Sequence, residues 1–153
     1  MSSTLKTGDE APQIEAETYG GETIKLSDYR GKKTVALYFY PKDNTGTCTK
    51  EACSMRDGSD ELESLGVQVL GVSTDGVKSH ENFRSKYNLN FPLLSDKSKE
   101  IIKAYGVESD YGSARRVTFL IDKKGVIRHI WEKVKAAEHA SEVAGKVKEL
   151  GLS

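Results

Sequence analysis

Cys48 and Cys53 are the two cysteines of a 153-residue chain, and four residues separate them. The thiolate is the nucleophile and metal ligand of cysteine chemistry. Two thiols this close therefore point to redox work or to half of a metal site. In a reducing compartment such a pair is seldom a structural staple. Zinc would need further ligands at short spacing, and the three histidines (His80, His129 and His139) are scattered. No metal and no other cofactor is expected. Cys48 follows a strand and a turn, at the place where a helix is expected to open. Helix N-termini offer exposed N–H groups and the positive end of the dipole, and both favour an anionic sulfur.

The elements that must hold this pair follow from pattern. Residues 13–18 and 22–26 flank Tyr19-Gly20-Gly21, which reads as a β-hairpin. Residues 34–40, Thr-Val-Ala-Leu-Tyr-Phe-Tyr, are β-branched and aromatic with little polar alternation. Such a run suits a central strand covered on both faces. Pro41 ends it, since proline cannot donate to a central ladder. Residues 42–47 read as a loop. A helix follows from about Cys48, breaks near Gly58 and resumes over 61–65. Residues 68–73 form another buried strand. Ser79 is placed to N-cap a helix with Phe83 and Tyr87 on one face. A short extended piece at 91–95 surrounds Pro92. Residues 99–105 read as a helix with Ile101, Ile102 and Tyr105 inward, stopped by Gly106. Residues 117–121 and 126–131 flank Asp122-Lys123-Lys124-Gly125, a second hairpin signature. The last helix, 138–150, carries Val143, Val147 and Leu150 on one stripe, with Gly151 after it. Helices between buried strands imply crossovers and parallel pairing, and the closing hairpin adds antiparallel strands. The expected fold is α/β, a mixed central sheet flanked by helices on both faces with an N-terminal β-hairpin. Length alone suggests a single domain over residues 1–153.

Composition excludes several classes. The 37% hydrophobic and 30% charged fractions fit a globular chain, not a disordered one. Lys plus Arg and Asp plus Glu balance at 23 each, so no long-range field draws the chain to nucleic acid or an anionic membrane. No run approaches the ~20 apolar residues that span a bilayer. Met1-Ser2-Ser3-Thr4-Leu5-Lys6 has no apolar run behind it, so a secretory signal is not expected and the compartment expected is cytoplasmic.

The segment Tyr40-Pro41-Lys42-Asp43-Asn44-Thr45-Gly46-Thr47-Cys48-Thr49-Lys50-Glu51-Ala52-Cys53 resembles the active-site motif of the peroxiredoxins, Pro-x-x-x-Thr/Ser-x-x-Cys. Pro41, Thr45 and Cys48 fill it with the right spacing. A second cysteine five positions on is similar to the subgroup called bacterioferritin comigratory protein, or peroxiredoxin Q. The resemblance covers nearly the whole chain. Residues 113–122 look like the family's Arg-containing strand, and Trp131-Glu132-Lys133-Val134-Lys135 followed by His139-Ala140 also looks like that subgroup. There is one departure. The family usually has Pro-Gly before this cysteine, and Gly46-Thr47 stands here. Gly46 lacks the fixed φ of proline, which bears on loop rigidity but not on the nucleophile.

The resemblance implies a thioredoxin-like fold, a monomer, and a thiol peroxidase that reduces hydrogen peroxide and organic hydroperoxides. It makes Cys48 the attacking thiolate and Cys53 the resolving thiol, which closes an intramolecular disulfide. A thioredoxin-type reductant would restore both thiols. Arg116 would come in from another strand, Glu51 would orient it, and Pro41 would shield the pocket from water. Lowering the thiol pKa is only part of such catalysis. A fall of ~2.5 units from about 8.5 raises the thiolate fraction at neutral pH about 30-fold. Intrinsic nucleophilicity then drops by roughly one decade, on a slope of ~0.4–0.5. The larger share must come from orienting the peroxide and stabilising its breaking O–O bond. That work falls to the Thr45 hydroxyl, Arg116 and the N–H groups of Thr47 and Cys48. Residues i and i+5 of a helix lie ~8–9 Å apart at Cα and ~140° around the axis. A disulfide needs less than about 7 Å. The Cys48–Cys53 helix is therefore expected to unwind locally on oxidation, with Gly46 and Gly58 as soft points.

Blander readings stand beside these. Thr45 could serve only as a turn or helix-cap residue, and Cys53 as a passive thiol of the helix. Tyr40 either lines the pocket or packs in the sheet. Of Arg115 and Arg116, one is expected to be a solvated charge. The histidines read as surface or packing residues, Lys42 and Asp43 as solvated loop charges, and Trp131 as structural. Two other functions compete. A protein disulfide oxidoreductase usually carries Cys-x-x-Cys, with two intervening residues instead of four. A peroxide-sensing binding protein would be expected to carry an extra domain or charged tail.

Overall fold

The computed structural model describes residues 5–18 and 22–152. In chain order the elements are β1 (Glu15–Glu17), β2 (Thr23–Lys25), β3 (Thr34–Phe39), α1 (Gly46–Asp57), α2 (Ser59–Ser64), β4 (Val67–Ser73) and α3 (Val77–Tyr87). They continue as β5 (Leu93–Ser95), α4 (Glu100–Ala104), β6 (Val117–Ile121), β7 (Ile127–Trp131) and α5 (His139–Leu150). The strands form one sheet in the order β2-β1-β5-β4-β3-β6-β7. β3 pairs with β4, and β4 with β5, in parallel; all other pairings are antiparallel. The parallel pairs are joined by helical crossovers, as parallel strands require. The mixed sheet expected from the alternation of strands and helices is thus present. β1 and β2 pair as a hairpin should; the turn expected at residues 19–21 lies outside the described residues.

β3 is buried at every position, which is why its sequence shows no polar alternation. Its side chains still divide between two cores. Val35, Leu37 and Phe39 join Ile101, Ile102 and Tyr105 beside α4, together with Ala11 and Ile14. Ala36, Tyr38 and, just past the strand's end, Tyr40 face the other layer with Cys48, Ala52 and Met55 of α1, Phe83 of α3 and Val143 and Val147 of α5. Helices therefore cover both faces. Gly71 of β4 lies opposite Tyr38 of β3, and a Cβ there would stand 3.0 Å from the Tyr38 ring. The glycine makes room for a large side chain directly beneath α1.

Local signals mostly hold. α1 stops at Gly58, where a Cβ would meet that of Ala140 at 2.5 Å, so the glycine also lets α1 and α5 approach. In the β6–β7 turn Gly125 has φ 82°, and the Asp122 carboxylate accepts the N–H groups of Lys124 and Val126. Gly151 caps α5 in the left-handed region. Three expectations fail. α1 begins at Gly46, two residues before Cys48, because Thr45 already occupies the N-cap position. α3 begins at Val77 behind Gly76, and Ser79 caps nothing: its hydroxyl donates to Asp43. Asp43 itself is buried, not a solvated loop charge, because tertiary partners satisfy its carboxylate.

Candidate active site

β3 delivers the chain to Pro41, which is half-buried at the strand's end, and the loop turns into α1 at Thr45. The first rung of α1 runs from Thr49 N to the Thr45 carbonyl at 2.8 Å. The N–H groups of Gly46, Thr47 and Cys48 precede it and have no acceptor within the helix. Cys48 sits in this first turn, 2% exposed. Its sulfur is thus close to unpaired donors and to the positive end of the dipole.

Sheet register supplies the other half of the site. β6 runs antiparallel to β3 with Val117 opposite Phe39, so Arg116 falls beside the loop that leaves β3. Its Nη2 donates to Cys48 Sγ at 3.2 Å and its Nη1 to Glu51 Oε1 at 2.6 Å. Arg115 points elsewhere: it is exposed and donates to the Gly106 carbonyl. Glu51 lies one turn beyond Cys48 on the same helix face and is fully buried. Burial pushes its carboxyl up to about 7, against the opposing pull of the Arg116 charge. Its second oxygen, Oε2, has no hydrogen-bond partner, and neither has the buried Tyr38 hydroxyl. Burial raises the Tyr38 phenol well above its usual value, with the charges of Glu51 and Cys48 adding to the effect. That phenol stays neutral beneath the site.

His139 closes the far side. Its Nδ1 donates to Glu142 Oε1 at 3.0 Å. Burial lowers its pKa, so the ring is neutral and Nε2 accepts from the Thr118 hydroxyl at 2.7 Å. Nε2 also lies 3.9 Å from Glu51 Oε2. Expected from sequence to be a surface or packing residue, His139 borders the buried carboxylate; its place after Trp131 in the subgroup-like motif is the one signal for it.

Cys48, Glu51 and Arg116 are thus brought together. Cys53 is not with them. It is half-buried, further along an unbroken α1, and both cysteines are free thiols. Thr45 is exposed, and its hydroxyl donates to the Lys42 carbonyl at 3.2 Å. Thr47 is exposed at the helix start. The Tyr40 hydroxyl donates to Asp43 Oδ1 at 2.6 Å, and its ring packs on Tyr38 and Phe83 in the same buried layer as Cys48. Asp43, Asp75 and His80 bring three possible metal-ligand atoms within 4.8 Å of one another. Here they bond to one another and to neighbouring hydroxyls.

A cysteine at a helix N-terminus whose sulfur accepts a hydrogen bond from an arginine at the start of a neighbouring strand defines a thiol-dependent oxidoreductase. Comparison with known proteins makes this specific. Residues 7–130 match the AhpC/TSA family. Peroxiredoxin Bcp of Bacillus subtilis is 41% identical over 96% of this chain and 98% of its own length. The crystal structure of a Cys-to-Ser mutant of PrxQ from Xylella fastidiosa superposes with a TM-score of 0.90 at 35% identity, covering 97% and 99% of the two chains. The bacterioferritin comigratory protein of Xanthomonas campestris, whose structures concern alkyl peroxide reduction, gives 0.83 at 34% identity over 90% and 91%. The chain belongs to the AhpC/TSA family, within the bacterioferritin comigratory protein or peroxiredoxin Q subgroup. It has the thioredoxin-like fold of these proteins and is a thiol-dependent peroxidase. No helix among the described residues is long and apolar enough to cross a membrane.

Proposed function

We propose that Cys48 is the peroxidatic sulfur and Cys53 the resolving one, acting on hydrogen peroxide and organic hydroperoxides. The Cys48 thiolate attacks the terminal peroxide oxygen and the O–O bond breaks. The alkoxide or hydroxide leaves and takes up a proton, and the sulfur becomes a sulfenic acid. Cys53 then displaces the hydroxyl as water and forms a disulfide. A dithiol protein of the thioredoxin type returns both thiols by exchange. The observation that carries this reading is the bridge from Glu51 through Arg116 to Cys48 Sγ at a helix N-terminus.

Arg116 and the N–H groups of Thr47 and Cys48 receive the charge that develops as the O–O bond breaks. The Thr45 hydroxyl, exposed at the loop's rim, both donates and accepts, and is assigned to orienting the peroxide. Pro41 keeps water from the sulfur. α1 unwinds between the two cysteines before the disulfide closes. Residues 1–153 act as one catalytic domain, supported by a single sheet that runs from β2 at one edge to β7 at the other. A monomer is supported by Tyr111, the one large hydrophobic exposed among the described residues, which is too little for an obligate interface. A cytoplasmic setting suits two cysteines spaced for redox work instead of stapling.

Stopped-flow mixing with peroxide tests the assignment. Cys48→Ser should be inert, and Cys53→Ser should react once and stall as sulfenic acid. Intact mass after stoichiometric peroxide should show the loss of two hydrogens per monomer. Catalytic peroxide consumption by Cys48→Ser would end the reading.

A further inference from the structure

We infer that Asp43 is a positioning residue for the peroxidase reaction, a buried clamp that holds the loop ahead of α1 in the shape that presents Cys48 and its neighbouring N–H groups. It stands two residues before the Thr45 N-cap, and three side chains converge on its carboxylate. Tyr40 Oη donates to Oδ1 at 2.6 Å, Ser79 Oγ donates to Oδ2 at 2.8 Å, and His80 Nδ1 lies 2.7 Å from Oδ2. The Asp43 N–H donates to Asp75 Oδ2 at 2.8 Å, an oxygen that also accepts from Ser73 Oγ. His80 Nε2 donates to the Leu94 carbonyl at 3.1 Å. One loop residue is thereby tied to the ends of β3 and β4, to α3 and, through His80, to β5. The sulfur chemistry uses none of these groups.

What the clamp places follows from the chain. Asn44, the next residue, has φ 64°, an uncommon conformation for a residue with a side chain. Thr45 then starts α1. A rotation at Asn44 would swing the first turn of the helix, and with it the donors that meet the peroxide. Position 46 would be the direct place to stiffen this turn, but it holds a glycine that has no atom within 4 Å of where a Cβ would stand. The stiffness of the loop must come from elsewhere. Beside one long exposed contact from Lys86 Nζ to Asn44 Oδ1 at 3.5 Å, Asp43 is where the loop is bonded to the body of the protein.

This inference rests on Cys48 as the attacking sulfur, and Cys48→Ser tests that separately. Catalysis by Cys48→Ser would remove the underlying reading, whereas the Asp43 variants keep Cys48 and probe only its placement. Full-length Asp43→Asn is mixed with hydrogen peroxide, and Trp131 fluorescence follows sulfur oxidation and disulfide closure as separate phases. Misplacement of reacting groups by ~1 Å can lower a rate ~100-fold, so a loosened loop should slow oxidation about tenfold. Disulfide closure should not slow, because a released loop lets α1 unwind more readily.

The discriminating arm is Gly46→Pro. Position 46 is the first residue of α1, which suits proline, and Thr45 before it is already extended at φ −91° and ψ 158°. In the Asp43→Asn background Gly46→Pro restores no buried hydrogen bond, yet it should recover most of the lost oxidation rate. If Asp43→Asn does not fold, Ser79→Ala removes one of the three bonds and should slow oxidation a few-fold with the same recovery. An unchanged oxidation rate would overturn the inference. So would equal slowing of both phases without recovery by Gly46→Pro, the signature of a merely structural role.

Discussion

Replacing Glu51 by glutamine should remove a pH-dependent instability and, at the same time, slow the peroxidase. The buried carboxyl titrates at about 7 in the fold against 4.5 in the open chain. The native state therefore holds this proton more tightly than the unfolded chain does. The stabilisation is complete below pH 4.5 and is lost as pH rises through about 7. At 1.36 kcal/mol per unit, the wild type gives up about 3 kcal/mol from this group across the window. The orphaned Oε2 is where the proton is held, since Oε1 is taken by Arg116. Glutamine has no proton to lose, so the variant lacks this slope. Urea unfolding of both proteins from pH 4.5 to 8 reads it directly. The stability of Glu51→Gln relative to wild type should climb by about 3 kcal/mol over that range. His139 titrates nearby with the opposite sign, because burial lowers its pKa; the other groups that set its shift, Glu142 and Arg116, are unchanged in the variant, so the difference reads Glu51. Activity moves the other way. A hydrogen bond to a charged group contributes about 1.5–3 kcal/mol. Losing half of the upper figure in the transition state already slows sulfur oxidation about tenfold. Stopped-flow rates at neutral pH measure that loss. A stability difference that does not change with pH, or an unchanged oxidation rate, would refute the reasoning.

Two further outcomes are expected. Amide protons of Lys50, Glu51 and Ala52 should be protected in the reduced protein and exchange freely in the disulfide form, because an intact helix keeps the two Cα atoms ~8–9 Å apart; hydrogen-exchange mass spectrometry showing equal protection in both forms would exclude local unwinding of α1. Gly71→Ala should lower stability by about 1–3 kcal/mol in a denaturant titration. The new Cβ would stand 2.9 Å from Leu93 Cδ2 and 3.0 Å from the Tyr38 ring, and a midpoint equal to wild type would mean that this packing yields without strain.

The sequence by itself determined the contiguous part of this protein. Pro41, Thr45, Cys48, Glu51 and Cys53 lie on one strand–loop–helix run, and backbone geometry alone turns their spacing into a place: a thiol in the first turn, a carboxylate one turn on, a second thiol out of reach. The strand and helix order was legible for the same local reason, through β-branched runs, glycine stops and hairpin turns. Tertiary structure decided what spans distant segments. The choice of Arg116 over Arg115 follows from the register of β6 against β3, which no local pattern states. Ser79 looked like a helix cap because its type suits one, but its hydroxyl serves Asp43 from 36 residues away. Asp43 looked solvated because a lone aspartate in a polar loop usually is; three tertiary partners, the buried Tyr40 and His80 and the half-buried Ser79, reverse that. The charge of Glu51 depends on burial, and burial is a property of the packed layers that enclose α1, not of the residues beside it in the chain.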